Sequence, residues 1–308
     1  MSRLAFIFPG QGSQHAGMGA ALLDDDEIAR LALRCSQAAG IDLGYLLRDA
    51  PDDELTLTTN AQPCLLFVGL ALALLLERRG VRPDAVAGHS VGEYAALCVA
   101  GALSPEDAVR AVAERGRAMA EASPPGVSSM AAVLGIGPAG VEAALDGMEG
   151  IWPANFNTPT QTVVGGTMKA LEHAAPRLRE AGARRVVPLQ VAAAFHTPLM
   201  VPVGARMRPL LDGITWSDPR VPVIANVDGL PYQGAASIPD HLELQLLSPV
   251  RWVESVERLV GLGCDTFVEL GPRRVLTGML KELAPGAAAT SLATPVAVAA
   301  YERPDRGR

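Results

Sequence analysis

Short apolar runs alternate with longer stretches of helical periodicity along most of the chain. Leu4–Phe8 is an apolar run that stops at Pro9-Gly10, with the length and ending of a buried strand. Ala85-Val86-Ala87 reads the same way, as do Val221–Asn226 and Thr266–Leu270, the last closing on Gly271-Pro272. Asp24 to Gly80 is predicted to be mostly helical. Its longest apolar run, Cys64 to Leu76, is too short to span a bilayer and reads as a buried helix, stopped by Arg78-Arg79-Gly80. Ser104-Pro105-Glu106-Asp107 opens another helix, with an N-cap serine, proline in the first turn and acids after it. In that helix Ala108, Val112, Arg115 and Met119 share one stripe, and Arg110, Glu114, Arg117 and Glu121 another. Arg115 thus falls among apolar positions, where an unpaired guanidinium is costly. It needs an anion, either an internal carboxylate or a substrate carboxylate held bidentately.

A different order begins after Pro124-Pro125-Gly126. Ser129–Ile136 reads as a strand, Pro138–Met148 as a helix, Ile151–Phe156 and Gln161–Gly165 as strands, Lys169–Ala181 as a helix and Arg185–Val191 as a strand. That βαββαβ order is the ferredoxin-like arrangement. The expected organisation is a large α/β domain over residues 1–123 and 191–284, with a small ferredoxin-like domain inserted at 124–190. A tail at 285–308 is Ala-rich, then charged and Pro-containing, which predicts partial disorder. A cleft between two such bodies is a common ligand site. His241–Leu247 reads as a helix leading to Ser248-Pro249-Val250.

Composition narrows the function classes. At 308 residues, nearly half apolar with few aromatics, the chain suits an Ala/Leu/Val-rich α/β enzyme core. A net charge of −7 argues against a general nucleic-acid binder. Cys35, Cys64, Cys98 and Cys264 have no metal or redox spacing, which suggests a reducing compartment. The first residues lack a signal-peptide pattern, so the expectation is a cytoplasmic protein with no membrane partner. Lys169, Arg177, Arg179, Arg184 and Arg185 make one segment locally basic; this is usually a solvated face, and docking of an acidic partner is the alternative.

The chemistry concentrates on Gly88-His89-Ser90-Val91-Gly92, between the Ala85-Val86-Ala87 strand and helix-forming residues from Glu93 onward. Strand, G-x-S-x-G, helix is the context of a nucleophile elbow, which presents Ser90 at a helix N-terminus. Ser90-x-x-Glu93 also reads as a capping box, a purely structural helix start. His89 is expected to point away from the nucleophile. His196, in an apolar stretch after a strand and just before Pro198, is the general-base candidate. Pro9-Gly10-Gln11-Gly12-Ser13-Gln14 follows a strand and presents backbone N–H groups at its carboxyl end, with no phosphate-loop pattern.

Together these stretches resemble malonyl-CoA:acyl-carrier-protein transacylases and the acyltransferase domains of polyketide synthases. The resemblance rests on Phe8–Gln14, Gln62-Pro63, Gly88–Tyr94, Arg115-Gly116, Asn155-Phe156-Asn157, Phe195-His196, Asn226–Gly229, Gln245–Val250 and Glu269–Pro272, in that order. It implies an α/β-hydrolase-like core with a ferredoxin-like insertion. It also implies Ser90 as nucleophile, His196 as base, an oxyanion hole from the backbone N–H groups of Gln11 and Val91, and Arg115 holding a malonyl carboxylate. Gln245 would orient His196 through its backbone carbonyl, in place of the acid an α/β-hydrolase sets between Ser and His. Ala194-Phe195-His196 resembles the malonyl-selecting signature of polyketide acyltransferases, where a phenyl ring leaves little room for a branched acyl group. The implied activity moves malonyl from malonyl-CoA to a phosphopantetheine-bearing acyl carrier protein, in fatty-acid or polyketide biosynthesis, with no metal or bound cofactor and as a monomer. A serine acyl hydrolase acting on carrier-bound acyl groups is the alternative; a neutral acyl chain would give Arg115 no partner.

Overall fold

The computed structural model describes residues 2–122, 124 and 126–303. Its strands in chain order are β1 (Arg3–Phe8), β2 (Ala85–Gly88), β3 (Ser128–Leu134), β4 (Ile151–Thr158), β5 (Gln161–Thr167), β6 (Arg185–Pro188), β7 (Val223–Ile224), β8 (Val250–Arg251), β9 (Cys264–Leu270) and β10 (Ala288–Leu292). They form two five-stranded sheets, ordered β10-β9-β1-β2-β7 and β6-β3-β5-β4-β8.

The first sheet is parallel throughout. Parallel sheets are covered on both faces, which accounts for the unbroken apolar runs of β1 and β2. Alternate residues of β1 serve opposite faces. Leu4, Phe6 and Phe8 share one core with the helices Thr58–Arg78 and Pro105–Glu121. Ala5 and Ile7 pack instead with Trp252, Val256 and Leu259 of the helix Trp252–Gly261 and with Leu276 and Leu280 of the helix Leu276–Leu283. The helix Thr58–Arg78 is long and apolar enough to cross a membrane, but most of it is buried in this core.

In the second sheet β3–β6 are antiparallel neighbours in the ferredoxin-like order, with helices Pro138–Leu145 and Met168–Glu180 on one face. The other face turns Met130, Ala154 and Val163 toward the main core. β8, which arrives from the large body, adds to the free edge of β4 in parallel, pairing Asn155 with Val250.

The tail departs from expectation. Ala288–Leu292 pairs along β9 as an edge strand, and Pro295–Ala300 is a helix capped by Thr294. Leu292, Val298 and Tyr301 are buried, and Arg303 pairs with Asp84 at 2.7 Å. An Ala-rich composition hides a strand whose order comes from a neighbour's open edge. Ser123, Pro125 and residues 304–308, which carry part of the expected boundary and of the expected disorder, lie outside the described residues.

Candidate active site

β2 turns through Ser90 into the helix Gly92–Val99, and the turn is tight. A Cβ on Gly88 would lie 1.9 Å from the Gly92 carbonyl carbon, and one on Gly92 would lie 2.2 Å from the Phe8 oxygen. Only glycine fits at either position. Ser90 takes φ 53°, and His196 takes φ 59°; they are the two non-glycine residues with positive φ among those described. Each such residue costs about 1–3 kcal/mol and persists only where its surroundings hold it. For Ser90 the clasp is Asn226, just past β7. Its Oδ1 accepts from the Ser90 N–H at 2.7 Å and its Nδ2 donates to the Gly88 carbonyl at 2.7 Å. The capping-box alternative is not realised, because the Ser90 N–H is taken by Asn226 rather than by Glu93.

His196 Nε2 lies 2.7 Å from Ser90 Oγ, and its Nδ1 lies 2.8 Å from the Gln245 backbone oxygen. A carbonyl only accepts, so Nδ1 carries the proton and Nε2 presents its lone pair to the serine hydroxyl. Burial, with Arg115 nearby, lowers the His196 pKa to about 3, which keeps the resting imidazole neutral.

Arg115 is fully buried on the helix Pro105–Glu121, as its register requires. Nη1 donates to Gln62 Oε1 at 2.6 Å; Nη2 donates to Gln245 Oε1 at 3.0 Å and to Ser90 Oγ at 3.1 Å. Nε has no hydrogen-bond partner among the described residues. None of these partners is a carboxylate, so of the two anions the sequence allowed, an internal acid in contact is absent among the described residues. The nearest link to one runs through Gln245, whose Nε2 donates to Glu93 Oε2 at 2.6 Å. Glu93 also accepts from the Tyr232 hydroxyl and, at 3.3 Å, from the Asn226 N–H. Every partner is a donor, as an ionised carboxylate requires, although burial pushes its pKa up to about 7.

These groups open on a cavity of about 400 Å³. Gln11, Val91, Phe195 and His196 line it, together with Met130 and Leu189–Val191. The amide N–H groups of Gln11 and Val91 donate to no protein acceptor among the described residues. His89 borders the cavity but its side chain is engaged away from Ser90, with Nε2 2.9 Å from Asn157 Oδ1 and its ring 5.6 Å from that of Trp252. Arg184 and Arg185 lie at the end of β6 away from Leu189–Val191, and they are exposed, as are Lys169, Arg177 and Arg179. Among the described residues no group of three His, Cys, Asp or Glu is placed to hold a metal.

Sequence reasoning gave no place in the site's chemistry to Gln62, Asn226 or Tyr232, and gave Glu93 only a capping-box role. Gln62 carried a signal, as a polar residue in an apolar helix. Glu93 was read through its spacing to Ser90, and that spacing concealed its burial.

The arrangement pairs a hydroxyl with a neutral base, two free N–H donors and a buried cation. It can form and break an acyl ester and hold an anionic acyl group. A family model described as the acyl transferase domain matches residues 5–301. A malonyl CoA-acyl carrier protein transacylase of Bacillus subtilis is 42% identical over 288 residues, spanning 92% of this chain and 91% of that protein. The crystal structure of an acyl carrier protein S-malonyltransferase from Vibrio cholerae superposes with a TM-score of 0.93 at 35% identity, covering 97% of this chain and 99% of that one. A malonyl-transacylase solved in complex with its type II polyketide synthase acyl-carrier protein gives 0.91 at 36% identity, covering 97% and 98%.

Proposed function

The chain belongs to the acyl transferase domain family, and from that premise we propose that it moves malonyl groups from malonyl-CoA to the phosphopantetheine thiol of an acyl carrier protein. Ser90 Oγ attacks the thioester carbonyl while His196 Nε2 takes its proton. The N–H groups of Gln11 and Val91 stabilise the tetrahedral oxyanion. The intermediate collapses to a malonyl–Ser90 ester, and His196 returns the proton to the departing CoA thiolate. In the second half the carrier thiol attacks the ester, His196 accepts its proton, and the malonyl thioester leaves as Ser90 regains its hydrogen. Both acyl exchanges are thioester chemistry, so no redox partner enters. The free cysteines support a reducing, cytoplasmic setting for these thiols.

One observation carries this reading. Arg115 holds a buried charge 3.1 Å from the nucleophile with no carboxylate in contact among the described residues. A malonyl carboxylate supplies the missing anion; a neutral acyl chain does not. Intact-protein mass after brief exposure to malonyl-CoA should show a single malonyl adduct, and adding phosphopantetheine-bearing carrier should transfer it to the carrier. An adduct lost equally fast without carrier would make the chain a hydrolase.

Phe195 sets the width of the acyl slot. Its ring is buried beside His196 on the cavity wall. Phe195→Ser is expected to raise the ratio of methylmalonyl to malonyl transfer by ~10-fold, since a methyl group in a tight apolar pocket is worth about 1–3 kcal/mol. Competition between the two CoA esters, read by the mass of the acylated enzyme, checks this; an unmoved ratio reduces Phe195 to core packing.

A further inference from the structure

Gln245 serves the site twice. Its backbone carbonyl accepts from His196, and its side chain stands between Glu93 and Arg115. Nε2 donates to Glu93 Oε2 at 2.6 Å and to the Ser90 carbonyl at 3.0 Å, while Oε1 accepts from Arg115 Nη2 at 3.0 Å. An amide has one donor end and one acceptor end. Turned over, it would face N–H against guanidinium N–H and oxygen against two acceptor oxygens, so all three contacts would repel. Glu93 is the charged acceptor of the two that fix this orientation. It is anchored in turn by the Tyr232 hydroxyl and the Asn226 N–H, neither of which lines the cavity.

We propose that Glu93 is a positioning residue for malonyl selection: through Gln245 it aims the Arg115 guanidinium at the acyl group on Ser90 and balances its charge at one remove. The interposed amide has a physical reason. A carboxylate touching Arg115 would occupy the donors that the substrate carboxylate needs. With no carboxylate nearby, the cation would sit uncompensated in the core. One amide between them supplies partial compensation and leaves guanidinium N–H groups free.

This inference rests on the malonyl-transfer reading, and the two fail differently. The test compares kcat/KM for malonyl-CoA and acetyl-CoA, which differ by the free carboxylate, in the full-length enzyme with carrier. An unaltered enzyme with no preference for malonyl would sink the transfer reading itself. Given that preference, Glu93→Gln should lower the malonyl-to-acetyl ratio by ~10-fold or more: any disturbance of the Asn226 clasp on Ser90 slows both substrates alike and cancels in the ratio, whereas the charged hydrogen bond to Gln245 bears on the carboxylate-holding arm. Tyr232→Phe removes a neighbouring contact but keeps the Glu93 charge, and should leave the ratio within about threefold. A ratio unmoved in Glu93→Gln, equal losses for both substrates, or an equal shift in Tyr232→Phe would each overturn the proposal. Should Glu93→Gln not fold, Gln245→Met cuts the same link while keeping the backbone carbonyl on His196; a ratio unchanged there overturns it too.

Discussion

Ser90→Ala leaves no malonyl adduct on the protein and lowers carrier malonylation by about 10⁵-fold or more, the scale seen when the nucleophile of an acyl-transfer site is removed. The geometry gives no substitute: His196 Nε2 and Arg115 Nη2 both converge on the one hydroxyl oxygen. The residual rate reflects the oxyanion donors and bound substrate alone. The loss is chemical rather than structural. Asn226 grips the backbone of Ser90, not its side chain, so the elbow keeps its clasp and the thermal midpoint should stay within a few degrees. A full-strength adduct on the alanine variant, located by peptide mass, would move the nucleophile elsewhere.

Arg115→Met should lower kcat/KM for malonyl-CoA by about 10²-fold or more while leaving acetyl-CoA transfer far less affected, since a charged, buried hydrogen-bonded pair is worth several kcal/mol. Stability should move the other way or not at all. Burial depresses the Arg115 pKa below its ordinary value, so the fold bears a cost for keeping the cation. An unbranched apolar side chain of similar length relieves that cost, though it leaves Gln62 and Gln245 with one fewer donor each. Parallel kinetics with both CoA esters and a melting curve decide it. Equal losses for malonyl and acetyl would remove the carboxylate role, and a large drop in melting point would make Arg115 a structural residue.

Legibility in the sequence followed the range of the interactions. β1, β2 and the strand–turn–helix at Ser90 were readable because turn geometry and burial on both faces act within a few residues. The βαββαβ order was readable for the same reason, since each element there carries its own period. Two short strands were not. β8 and β10 are defined by edges they complete, β4 and β9, and their own residues carry little signal. In the site, Arg115 stood out because its helix register contradicted its charge. Glu93 did not, because a carboxylate early in a helix is ordinary by the rules of helix termini. Its burial depends on Tyr232 and Gln245, more than a hundred residues away in the chain.

The parallel pairing of β8 with β4 has a mechanical consequence. The second sheet is attached to the rest of the protein where the chain enters β3, where it leaves β6, and by hydrogen bonds at β8 on the opposite edge. A hinge needs one line of attachment about which a body can swing. Here the attachments reach both edges, so opening would have to peel a strand from its ladder. The slot above Ser90 is accordingly of fixed gauge. A pantetheine arm reaching Ser90 through such a slot enters and withdraws along its own length, with no jaw to open for it.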